Sequence, residues 1–147
     1  MTCDGLVPPA SLSYLPNMAG ATAVAQVRVL VVDDEEDMRA LVRSTLELAD
    51  EHLHIAGEAV DGDDAVRMWR EARPDVIVMD QRMPRTSGLE AAKQILAEDP
   101  DQAVVVLTAF PDKHVQAAAE RLGVKGWMSK NDMRLLPALL RAIVRPR

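Results

Sequence analysis

The pair Asp33-Asp34, Asp80, Thr108 and Lys130 are the residues of this chain whose types could do chemistry together, and the pair and each of the others stand at the end of a short, mainly apolar run. Taken singly, each has an ordinary structural role. An acidic pair after a strand caps the next helix, a lone Asp shapes a turn, a Thr forms strand and a Lys faces solvent. Brought to one place, the carboxylates would repel: two charges about 4 Å apart at an effective dielectric of about 20 cost about 4 kcal/mol. A carboxyl group then keeps its proton or a cation enters. An all-oxygen donor set suits Mg²⁺ better than zinc, which favours His or Cys.

Bringing them together needs a regular alternation of elements. Val27–Val32 is a short β-branched run, the pattern of a strand buried on both faces. Met38, Leu41, Val42, Thr45, Leu48 and Ala49 recur at helical spacing. Leu53–Ala59 reads as a second strand, and Asp61–Gly62 as a turn capping a helix with Ala65, Met68, Trp69 and Ala72 inward. Asp75–Met79 is a third strand, and Gly88 leads into a helix burying Leu89, Ala92, Ile95 and Leu96. Ala103–Leu107 forms a fourth strand, followed by a helix with Val115, Ala118, Ala119 and Leu122 that Gly123 ends. Lys125–Ser129 is a short fifth strand. A last helix runs from about Leu136 to Val144, with Pro137 in its first turn. Strands alternating with helices in this way predict an α/β, doubly wound parallel sheet with helices on both faces. In such sheets ligands bind outside the carboxyl ends of the strands, where the residues singled out above would gather.

Composition narrows the function classes. The 147 residues suit one domain, 48% hydrophobic and 27% charged, with aromatics at only 3%, so Val, Leu, Ile, Ala and Met build the core. No apolar run approaches the roughly 18–20 residues of a membrane span. No Lys or Arg precedes Arg28, so the basic start of a secretory signal is missing. Lys plus Arg number 17 against 23 Asp plus Glu, a net charge of -6, which argues against nucleic acid binding by this chain itself. Residues 1–26 carry one charge, Asp4, and no periodicity, and read as a flexible N-terminal leader ahead of a domain over 27–147, with Met18 as an alternative start. The single cysteine, Cys3, forms no internal disulfide, consistent with a cytoplasmic protein.

Four stretches carry a resemblance. Val31-Val32-Asp33-Asp34-Glu35, Val78-Met79-Asp80-Gln81-Arg82-Met83-Pro84-Arg85-Thr86-Ser87-Gly88, Leu107-Thr108-Ala109 and Gly126-Trp127-Met128-Ser129-Lys130 resemble the receiver (phosphoacceptor) domain of bacterial two-component response regulators, over about Val27–Val144. The resemblance implies a flavodoxin-like strand order 2-1-3-4-5. It makes Asp80 the phosphoacceptor, taking a phosphoryl group from a sensor histidine kinase or a phosphotransfer protein. Asp34 and Asp80 would bind Mg²⁺ directly, Asp33 through water, and the backbone carbonyl of Arg82 would be a further ligand. Lys130, the Thr108 hydroxyl and nearby amides would hold the phosphoryl oxygens. Arg82, Ala109 and Phe110 would flank the phosphate, and Thr108 and Trp127 would form the switch. Such a domain takes part in its own phosphotransfer and autodephosphorylation and is otherwise a signalling module. Its partners would be a downstream protein target or a second copy, met through helix 4, strand 5 and helix 5. There Leu135, Leu136, Leu139, Leu140, Ile143 and Val144 exceed one buried stripe.

Some details depart from that pattern or point elsewhere. Asn131 follows Lys130 where many receivers have proline, so no cis bond is expected there. This is a weak pointer to regulators with a helix-turn-helix output, which leaves open a receiver fragment of a DNA-binding transcriptional regulator. Lys130 is expected at an exposed acidic mouth, where its removal costs little. His52 and His54 lack a third metal ligand and read as a strand's polar edge. A haloacid dehalogenase-type Mg²⁺ phosphatase would need Asp-x-Asp after strand one, which Asp33-Asp34-Glu35-Glu36-Asp37 offers only loosely. The same run of acids repels a flavin phosphate and excludes a flavodoxin-type module.

Overall fold

The computed structural model describes residues 26–144. The expected leader, except Gln26, and Arg145–Arg147 lie outside them. The chain runs β1 (Val27–Val32), α1 (Glu36–Ala49), β2 (Leu53–Ala59), α2 (Gly62–Ala72), β3 (Val76–Asp80), α3 (Gly88–Glu98), β4 (Ala103–Thr108), α4 (Lys113–Leu122), β5 (Gly126–Ser129) and α5 (Leu136–Ile143). A 3₁₀ segment, Lys130–Leu135, joins β5 to α5. The strands form one parallel sheet in the order β2-β1-β3-β4-β5.

Alternation along the strands divides the core between the two faces. Val29, Val31, Val78, Val105 and Leu107 pack with Val42 and Leu46 of α1 and Leu136 and Leu140 of α5. Leu30, Val32, Ile77, Met79 and Val104 pack with Ala65 of α2 and Ala92 and Ile95 of α3. β3 and β4 are buried along their whole length, which is why both read as unbroken apolar runs. In α1 the expected stripe is narrower than its sequence: Val42 and Leu46 are buried, whereas Leu41 is 49% and Leu48 88% exposed. One residue along a helix is a turn of about 100°, so Leu41 falls to the side of Val42 and off the sheet.

Register brings the strand ends into line. Val32 pairs with Met79, so Asp33 follows beside Asp80, and Asp80 itself pairs with Leu107. Thr108 pairs with Ser129, and Lys130 comes next. Asp61 caps α2, Ser87 and Glu90 form a capping box on α3, and Asp112 caps α4, each fixing a loop at this edge.

Candidate functional site

At the carboxyl edge Asp33 and Asp80 are buried and Asp34 is exposed, and one oxygen of each lies within 4.8 Å of the others. Neither Asp33 nor Asp34 caps α1. Glu35 holds that position, and Asp33 Oδ1 accepts its amide at 2.9 Å. The other oxygen of Asp33 accepts from Lys130 Nζ at 2.8 Å, and the same ammonium lies 3.4 Å from Asp80 Oδ1. The Lys130 side chain is only 9% exposed, which corrects the exposed setting expected for it. The salt bridges to two carboxylates provide a charge-paired place for the ammonium inside the fold.

Electrostatics set Asp80 apart. Burial first, and then the charge of Asp33, push its carboxyl up to about 6, although Lys130 and the Arg82 amide work against the rise. Burial opposes the charge on Lys130, but the hydrogen bond to Asp33 and the field of both carboxylates outweigh it and raise the ammonium above its ordinary value. The cluster thus carries more negative charge than one lysine satisfies, and all its donors are carboxylate oxygens. A small hard cation fits this set on charge and donor type.

The connection from β3 to α3 closes one side. Gly88 N–H donates to the Gln81 carbonyl at 3.0 Å, and Leu89 N–H to Gln81 Oε1 at 3.0 Å. A Cβ on Gly88 would overlap the Asp80 carbonyl, so only glycine lets α3 start directly against the strand. Above Asp80 the Arg82 guanidinium carbon lies 4.5 Å from the centre of the Phe110 ring. Asp34, Glu35, Asp80, Arg82, Ala109, Phe110 and Lys130 line a cavity of about 150 Å³. Thr108 is buried beside this cavity without lining it, and its Oγ1 accepts the Phe110 amide at 3.2 Å.

Other expected residues fall elsewhere. Trp127, half-buried on β5 opposite Val106, lines a separate hollow with Gln116, Ala119, Glu120 and Val124, and its indole N–H has no hydrogen-bond partner among the described residues. Trp69 is partly buried, its N–H donating to Gln102 Oε1 at 3.0 Å. His52 Nδ1 lies 3.1 Å from Asp50, His54 is exposed, and neither belongs to a metal-binding group among the described residues. No cis peptide occurs among them, in line with Asn131 after Lys130. Of the apolar excess near the end, Leu135 is 47% exposed, whereas Leu136, Leu140 and Val144 are core. No helix of the described residues is long and apolar enough to cross a membrane.

One neighbour of the acids was not read from the sequence. Arg39 donates through Nη1 to the Asp33 carbonyl at 2.8 Å and through Nε to Glu58 Oε1 at 3.1 Å, while Arg43 also pairs with Glu58. The spacing of Arg39 and Arg43 by one helical turn, opposite an acid on a half-buried strand, is the signal that could have found it.

A five-stranded doubly wound sheet with carboxylates and a buried lysine at its switch edge is the architecture of a phosphorylation-type signalling domain rather than a flavin-binding one. The model of the response regulator receiver domain matches residues 29–141, and the chain belongs to this family of two-component signal-transduction domains. It is a signalling module and not an enzyme in the ordinary sense. Protein CcdB of Bacillus subtilis is 38% identical over 118 residues, which cover 79% of this chain and 97% of that protein. Response regulator GacA of Pseudomonas aeruginosa is 39% identical over 105 residues, 71% of this chain but 48% of GacA. A solved two-component response regulator of the LuxR family from Aurantimonas sp. SI85-9A1 superposes with a TM-score of 0.77 at 28% identity, covering 81% of this chain and 85% of that one. The chain therefore spans nearly all of CcdB and about half of GacA.

Proposed function

We propose that Asp80 is the phosphoacceptor of a cytoplasmic receiver domain spanning residues 27–147, charged by a histidine kinase or a phosphotransfer protein. The observation that carries this is the buried contact of Lys130 with Asp33 and Asp80 beneath a small cavity. In transfer, an Asp80 oxygen attacks the phosphorus of a phosphohistidine, an O–P bond forms and the P–N bond breaks, leaving an acyl phosphate. Lys130 is already within reach of the acceptor and neutralises charge on the phosphoryl oxygens. Mg²⁺ is the proposed cation, held by Asp34, Asp80, the Arg82 carbonyl and, through water, Asp33. When bound it supplies further charge neutralisation to the transferring group. The Thr108 hydroxyl leaves the Phe110 amide to meet the product. Arg82 and Phe110, stacked over the cavity, restrict the water that would hydrolyse it.

The output surface is α4, β5 and α5, offered to a downstream protein or a second copy. The partial coverage of GacA, and the 48% coverage of the transcriptional regulatory protein YdfI of Bacillus subtilis, support a second reading for the whole protein, a receiver joined to a DNA-binding output, whereas the coverage of CcdB supports a stand-alone receiver. Residues 1–26 are proposed as a leader in either case. Incubation with acetyl phosphate and Mg²⁺ should add one phosphoryl group, which chelation and Asp80→Asn should each abolish. Undiminished labelling of Asp80→Asn would overturn the assignment.

A further inference from the structure

The β3–α3 connection carries Arg82 over the acceptor, but the tip of this loop is held from elsewhere. Arg85 adopts φ 65, the left-handed region that residues with side chains occupy only when their surroundings impose it. In that conformation its guanidinium pairs with Asp61, whose other oxygen accepts the Asp64 amide at 2.7 Å and caps α2. Thr86 donates its hydroxyl to Asp63 at 3.1 Å. Thr86 also rests on Gly62 so closely that a Cβ there would lie 2.6 Å from the Thr86 Cβ and 2.7 Å from its carbonyl oxygen. The tip of the loop is thus seated on the first turn of α2.

We propose that Arg85, through its ion pair with Asp61, is a positioning residue for the phosphoacceptor site, setting where Arg82 stands relative to Asp80. This rests on the reading of Asp80, Mg²⁺ and the Arg82 carbonyl given above. Little slack separates the two arginines. Pro84 has a fixed φ, and the Thr86 amide donates to the Pro84 carbonyl at 2.7 Å, closing a tight turn. Beyond the tip, Gly88 abuts Asp80, so a loop anchored at both ends leaves Arg82 no independent position. Arg85 lies at the tip and acts through Arg82.

The test compares Arg85→Gln, Asp61→Asn and the double variant with wild type in the full chain, with Arg85→Lys as the conservative control. Asn at position 61 keeps an oxygen for the helix cap. Three quantities are read: Mg²⁺ affinity by calorimetry, amide hydrogen exchange of residues 82–86 without metal, and the thermal midpoint. Each single variant should weaken Mg²⁺ binding about threefold to tenfold, at or below the low end for groups that orient metal ligands, and should speed exchange in the loop. The double variant should be no worse than either single one, and Arg85→Lys should recover part of the loss. The midpoint of the Arg85 variants should change little, because the Arg85 side chain is 72% exposed. Wild-type affinity and loop exchange in a folded Arg85→Gln, or additive single effects, would overturn the proposal. Failure of wild type to take up Mg²⁺ or phosphate would instead bring down the reading of Asp80, and metal-free loop exchange would still decide whether Arg85 holds the loop.

Discussion

Gly88 meets the main chain of Asp80 so closely that a Cβ on it would lie 3.1 Å from the Asp80 carbonyl carbon and nearer still to the oxygen. Space is the whole reason for glycine here, since the backbone is not in the left-handed region. Gly88→Ala must therefore push α3 away from β3 or displace the acceptor strand. Overpacking of this kind costs about 1–3 kcal/mol. A lower thermal midpoint together with slower labelling by acetyl phosphate is expected, and unchanged values of both would show that the junction has slack.

Lys130 neutralises two buried carboxylates, so the expectation that its loss costs little has to be reversed. Lys130→Met keeps the length of the stem but leaves Asp33 and Asp80 without their cation. At neutral pH in a chelator the variant should lose about 2–3 kcal/mol, less than a fully enclosed pair because water reaches the cavity. Mg²⁺ should narrow the difference by replacing the charge. Urea melts with and without Mg²⁺ measure both effects, and a variant as stable as wild type in the chelator would contradict the electrostatic account.

The strands were legible almost to the residue because β1, β3 and β4 are nearly enclosed, and a strand enclosed on both faces has to be apolar throughout. The five residues singled out for chemistry were legible for a related reason. A charged or hydroxyl residue directly after such a run sits at the sheet edge by connectivity alone. Burial of Lys130 was not legible, because a lysine after a strand looks the same whether or not acids from other strands wait beside it. The same holds for Arg39 at the Asp33 carbonyl and for Arg85 on Asp61, contacts made only when separate segments meet. Leu41 and Leu48 misled because leucine on the outside of a helix is allowed by packing and indistinguishable in pattern from leucine inside.

Asp80 should make stability depend on pH with an unusual sign for a carboxylate. Its pKa stands at about 6 in the fold against 3.8 for an ordinary Asp, so the folded chain binds this proton more tightly than the unfolded one. The contribution favours the fold below 3.8 and is lost as pH rises to about 6. Above that, the ionised group destabilises. Asp80→Asn should therefore be more stable than wild type at neutral pH without metal, by about 1–2 kcal/mol once solvent screening is allowed for. The advantage should vanish towards pH 3.8, and melts across this range check it.

Arg82 and Phe110 form the stack that roofs the cavity. A cation–π contact at an exposed site is worth about 0.5–1 kcal/mol, so removing it opens the roof about two- to fivefold more often. Phe110→Ala should shorten the lifetime of the aspartyl phosphate by a similar factor, followed as loss of label after removal of the donor. A lifetime equal to wild type would mean that water enters by another route.

Trp127 should report the phosphorylated state, and Thr108 should be required for it to do so. Thr108 Oγ1 accepts the Phe110 amide, and two residues further Asp112 caps α4 with its carboxylate on the amides of His114 and Val115. If the Thr108 hydroxyl turns to an acyl phosphate on Asp80, the Phe110 amide loses its acceptor and needs another, so the segment leading into α4 has to move. Gln116, Ala119 and Glu120 of α4 wall the hollow at Trp127, and the indole N–H has no bond among the described residues to hold it in place. A stable phosphate analogue such as beryllofluoride should therefore shift the Trp127 emission, with Trp69→Phe removing the other indole. The change in the balance between the two arrangements is bounded by the difference in their affinity for the analogue. Thr108→Ala should still bind the analogue through Asp80 and Lys130 but leave the emission at its resting value. An undiminished emission change in that variant would show that Trp127 responds by a path that bypasses Thr108.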